Sequence, residues 1–168
     1  MSDAISDTGP ILHLHEIQRL ATLAVFDTLE ISDLVEIELR RFDLTMSWLE
    51  KAAGRKFVVS HVEPAVWEPL LASSEGARLQ AADAQVAALA SLRASDFVIL
   101  TDDMALRKLL ERRGRSVAGT VGVLVRAYRS NLLGKNTLVT SIEKLFSEST
   151  LHTGPGFRRY VLSLLEGL

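Results

Sequence analysis

The sequence predicts an α/β protein with a mostly parallel central sheet, and three observations carry that prediction. Short apolar segments alternate along the chain with amphipathic segments of helical spacing, which is the pattern of strand–helix–strand units with right-handed crossovers. Phe97-Val98-Ile99-Leu100 is an unbroken apolar run, as expected of a strand buried on both faces. The first strand and this one both end in aspartate just before a helix begins, at Asp7 and at Asp102-Asp103. In an open parallel sheet that carboxyl edge is where ligands bind.

Each element follows from local chemistry. Residues 4–7 suit a brief first strand, and Thr8 or Gly9 can cap a helix that has Pro10 in its first turn and runs over 10–20, with Asp7 itself a further capping candidate. His13 and His15 lie two apart in that helix, on different faces, which suits structural or solvated roles better than a shared metal. Val25 to Ile31 reads as a second strand, capped by Ser32 or Asp33 into a helix over 33–42. A third helix over 44–53 stops at Gly54, and the β-branched stretch 56–62 reads as a third strand, with His61 on its surface. Pro64 opens a short helix. Residues 77–94 are alanine-rich and strongly helix-forming, with Asp83 the lone acid among Ala81, Ala82 and Ala84. After the strand at 97–100, a helix over 104–113 stops at Gly114. Ser116 to Gly119 forms a last strand, and Thr120 caps a helix over 121–131. Amphipathic helices over 137–147 and 155–166 flank the turn Gly154-Pro155-Gly156.

The bulk properties set outer limits. A chain of 168 residues fits one domain, here with a C-terminal helical extension over about 135–168. It is 48% apolar and 24% charged, with formal net charge −2, so it lacks the overall basic surface of a protein that grips nucleic acid everywhere. Absence of cysteine excludes disulfides and thiolate metal sites. No apolar run is long enough to span a membrane, and no basic segment followed by an apolar core marks a secretory signal. The expectation is a cytoplasmic protein with no membrane contact.

If the first strand neighbours the one at 97–100, Asp7 and Asp103 approach one another, and Asp83 and Glu38 could complete a pocket of four carboxylates. Such a group is tolerable only with compensation, and a divalent cation that prefers oxygen, Mg²⁺ or Mn²⁺, supplies it. A haloacid-dehalogenase-type phosphatase needs a second aspartate two residues after the first, where this chain has Gly9. A phosphoreceiver domain needs an acidic pair after the first strand and a lysine after the last, and neither is evident.

The motifs together resemble the PIN-domain ribonucleases, VapC-like toxins included, and most of all the subgroup that opens I-S-D-T-G-P-L-I. This chain reads I-S-D-T-G-P-I-L at 5–12, V-E-I-E-L at 35–39, A-D-A-Q-V-A-A-L-A at 82–90 and I-L-T-D-D-M-A-L-R at 99–107. R-R-G at 112–114 and V-A-G-T-V-G-V-L at 117–124 follow in the same order. The first and fourth motifs are the most specific, and the match is poor over 43–70. The resemblance implies a three-layer α/β/α fold with about five short strands. It implies that Asp7, Glu38, Asp83 and Asp103 are catalytic acids, with Asp7, Asp83 and Asp103 holding Mg²⁺ or Mn²⁺. Thr8, Thr101 and Asp102 would support those acids. Arg107, Lys108, Arg112 and Arg113 would meet RNA, with Arg115 a further candidate. The implied activity is endoribonucleolytic hydrolysis of RNA phosphodiesters by the toxin of a type II toxin–antitoxin pair, with a small cognate antitoxin and a homodimer as partners. A non-catalytic PIN-like module that binds RNA or protein is the alternative.

Overall fold

A computed structural model describes residues 2–168. Five parallel strands form one sheet in the order β3-β2-β1-β4-β5. They are β1 (Ser2–Ser6), β2 (Phe26–Ser32), β3 (Phe57–Ser60), β4 (Val98–Leu100) and β5 (Ser116–Ala118). The chain steps outward from β1 to β3, then crosses back to β4 and β5. Right-handed crossovers therefore send the helices of the two halves to opposite faces.

One face carries α1 (Thr8–Glu16), a 3₁₀ helix (Leu20–Val25) and α3 (Met46–Ala53). Two later helices, α7 (Thr120–Arg129) and α8 (Lys135–Glu148), pack on this group. The other face carries α4 (Pro64–Leu71), α5 (Ala81–Ser91) and α6 (Met104–Arg112). Between them, α2 (Asp33–Arg40) touches both α1 and α5 at the carboxyl edge of the sheet. The last helix, α9 (Pro155–Glu166), buries only Val161 and Leu165. The expected fold class is the one observed, and β4 is buried throughout.

Helix ends differ from the sequence reading where a side chain or backbone partner intervenes. The first helix begins at Thr8, and of the capping candidates it is Asp7 that caps it. It ends at Glu16 rather than 20, because Gln18 adopts φ 57° and breaks the helical path. The alanine-rich helix is shorter than 77–94 and spans Ala81–Ser91. Its residues 82 and 84–90 are all buried, so small side chains let this helix lie close against β1 and β2. Gly119, not Thr120, caps α7.

A half-buried ion pair ties β2 to the segment that follows α5. Glu30, on β2, accepts two hydrogen bonds from Arg93, at 2.6 and 2.9 Å, and a third from Ser60 on β3. Glu30 is the buried partner, whereas the Arg93 side chain is 34% exposed, so water can take over the guanidinium when the carboxylate is lost. Glu30→Ala should lower unfolding stability by about 1–3 kcal/mol, and Glu30→Met with Arg93→Leu should recover part of it. Urea denaturation of the three proteins checks this.

Candidate active site

Strand pairing creates the site. The Asp7 N–H donates to Leu100 O at 2.9 Å, so β1 and β4 deliver Asp7 and Thr101 side by side at the carboxyl edge. Thr101 is fully buried and joins the two loops. Its hydroxyl donates to Asp7 Oδ2 at 3.0 Å and accepts from the Asp103 N–H at 3.0 Å. Asp103 then caps α6, accepting from the Leu106 N–H at 2.7 Å.

Two further acids come from the flanking helices. Asp83 sits at the third position of α5 and accepts from the Gln80 N–H at 2.8 Å. Glu38, on α2, accepts from the Thr8 hydroxyl. Asp7, Asp83 and Asp103 thus each receive a backbone N–H at a helix start, where the helix dipole favours negative charge.

The four acids act on one another electrostatically. Asp7 is 7% exposed, and its pKa is pushed up to about 7, first by burial and then by the charge of Asp83, with Glu38 adding a smaller push. Hydrogen bonds from Thr8 and Thr101 partly offset this. Asp83 is raised to about 6 by burial, with Asp103 and Glu38 adding repulsion. Among the described residues, no lysine, arginine or histidine forms an ion pair with any of the four. The donor set is therefore all hard oxygen, with unbalanced negative charge, and its chemistry fits a divalent cation such as Mg²⁺ or Mn²⁺. The side chains are not in coordinating positions: no group of three potential ligands converges among the described residues. The helix caps and Thr8 account for that spread, since each acid satisfies itself on its nearest donor.

The other expected residues fall in different places. Thr8 and Thr101 contact the acids as described, but Asp102 faces away. It accepts from the Thr120 N–H at 2.8 Å and from the Thr120 hydroxyl, and bonds His13 Nδ1 at 2.8 Å. It thereby ties α1 and α7 to the loop that carries Asp103. A Cβ on Gly119 would lie 2.5 Å from Asp102 Oδ1, so any other residue there would have to push the Asp102 carboxylate off its Thr120 and His13 bonds. Arg107 donates to Thr101 O at 3.3 Å and pairs with Glu111, while Arg113 pairs with Glu75 at 2.8 Å. Arg115 holds the carbonyls of Arg93 and Ala94. Lys108 and Arg112 are exposed on α6. His61 is exposed and bonded to Asp33, away from the four acids.

Gln85 escaped the sequence reading. It is buried on α5 and accepts from the Leu34 N–H at 3.0 Å, holding α2, and so Glu38, against the helix of Asp83. A polar residue inside an alanine run was the available signal.

An α/β fold with acids gathered at the carboxyl edge of a five-stranded parallel sheet is the class that the fold and site define. The family model of the PIN domain matches residues 3–166, and the chain belongs to that family. PIN domains are generally nucleases that act on RNA or other nucleic acid and typically use divalent metals. No curated protein and no solved structure matches the chain. Among the described residues, no helix is long and apolar enough to cross a membrane.

The raised acids predict an inverted pH dependence of stability. Between the unfolded value of 3.8 and the folded values of about 7 and 6, Asp7 and Asp83 bind more protons folded than unfolded. Their contribution to stability therefore falls as pH rises through that window, by at most about 1.4 kcal/mol per pH unit for each extra proton. Urea melts in chelator should show this decline from pH 5 to pH 8. Asp7→Asn should flatten it and should be more stable than the parent at pH 8.

Proposed function

We propose that this chain is a Mg²⁺- or Mn²⁺-dependent endoribonuclease that hydrolyses RNA phosphodiester bonds. The observation that supports the reading best is the cluster itself: four carboxylates at one sheet edge, two raised in pKa, with no ion pair to any of them among the described residues. Asp7, Asp83 and Asp103 would hold the metal. Such an ion, when bound, supplies charge neutralisation and polarisation at the phosphate. Glu38, held by the Thr8 hydroxyl, would accept the proton of the attacking water as general base. The water oxygen forms the new P–O bond as the bond to the leaving oxygen breaks. Thr101 fixes the Asp7 carboxyl, and Lys108 and Arg112 offer exposed charge to the RNA backbone. Arg107 and Arg113 would contribute once released from Glu111 and Glu75. Asp102 would act indirectly, by anchoring the loop of Asp103.

The motif order also supports a VapC-like toxin of a type II pair, acting in the cytoplasm as a homodimer restrained by a small antitoxin. The spread of the four acids favours a second reading, a PIN-like module that binds RNA or protein without cutting.

A mixed RNA set incubated with Mg²⁺ or Mn²⁺ separates the two. The nuclease reading expects cleavage that chelator stops and that Asp7→Asn lowers at least about 100-fold. Equal cleavage by parent and variant would remove the mechanism, and RNA binding without cleavage would favour the module. Lys108→Glu with Arg112→Glu should raise KM several-fold while changing kcat little. Light scattering should give the mass of two chains.

A further inference from the structure

One cavity of the molecule is lined by none of the four acids, although Asp102 and Met104, on either side of Asp103, reach it. It is a groove of about 840 Å³ between the β5–α7 segment and α9. Val117, Val121 and Val125 line one side, and Phe157, Tyr160 and Leu164 line the other. Those three α9 residues share one helical stripe with Val161 and Leu165. The latter two are buried, yet Phe157 is 44% exposed and Tyr160 59%. Half of the apolar stripe of α9 therefore has no cover from this chain.

Two further features say what kind of cover would fit. Arg107, Arg126 and Arg129 line the groove, and Asp102 is its only acid. Asp102 is already bonded to His13 and Thr120. Arg126 donates to the Ser2 hydroxyl and lies over the Phe26 ring, it forms no ion pair among the described residues, and Arg129 is exposed. The groove is thus apolar in lining and positive in charge. In addition, β5 is an edge strand, and Val117, Ala118 and Gly119 lie along the groove. An edge strand presents main-chain donors and acceptors to whatever lies beside it.

We infer that this groove takes an extended peptide segment of a partner protein, with apolar side chains interspersed with aspartate or glutamate. Apolar side chains would cover Phe157, Tyr160 and Leu164, the carboxylates would meet Arg126 and Arg129, and the peptide backbone would run beside β5. A second copy of this chain, docked symmetrically, would instead bring arginines against arginines. The inference goes beyond the nuclease reading and does not rest on it, because the groove and its test involve no RNA cleavage.

The test is selection from a displayed library of random peptides of about 12 residues on the full chain. The enriched sequences should combine Asp or Glu with Leu, Val or Phe. A synthetic peptide from that set should bind the parent at least about tenfold more tightly than Arg129→Glu or Tyr160→Asp. Both variants change exposed side chains, and their thermal midpoints should match the parent's. Absence of enrichment, enrichment of Lys- and Arg-rich sequences, or equal affinity for the variants would overturn the inference. So would displacement of the peptide by an RNA oligonucleotide, or a dimer that Tyr160→Asp converts to a monomer.

Discussion

The pairing of β1 with β4 is the constraint on which the rest of the site depends. Parallel register sets Ser6 opposite Leu100, and the next residue on each strand is then Asp7 and Thr101. One hydroxyl, that of Thr101, serves the carboxylate of one loop and the backbone of the next. A slip of one residue would turn that hydroxyl to the other face of the sheet and separate the loops. The acids on α2 and α5 are added around this pair, by the Thr8–Glu38 and Gln85–Leu34 hydrogen bonds.

Burial of Asp7 explains both its raised pKa and the need for compensation. A carboxylate shielded from water and facing other carboxylates holds its proton until near neutrality. Hydrogen bonds from helix starts offset part of that, so the acids are held in place with no ion pair to them among the described residues. The same capping bonds turn Asp83 and Asp103 toward their own helices. The site is therefore gathered in space yet open in geometry.

Much of this was legible in the sequence because it is local. The apolar run at 97–100, the aspartates that end two strands and the isolated Asp83 all announce themselves within a few residues. What escaped depends on partners far along the chain. Asp102 looked like an assistant to Asp103, but its partners His13 and Thr120 lie 89 and 18 residues away, on helices of the opposite face. Glu30 gave no local sign that Arg93, 63 residues on, would neutralise it. The first helix was read past Glu16 because its apolar spacing continues, whereas the left-handed backbone at Gln18 leaves no periodic trace.

The methyl groups of α5 have a consequence of their own. Because five of the eight buried residues of this rod are alanine, its distance from the sheet is set largely by the smallest spacers a chiral residue can offer. Swapping Ala84 or Ala87 for valine or leucine would wedge the rod outward and carry Asp83 with it, widening the cleft although no polar atom had been altered. The calibre of the cleft is thus written in its most chemically inert side chains.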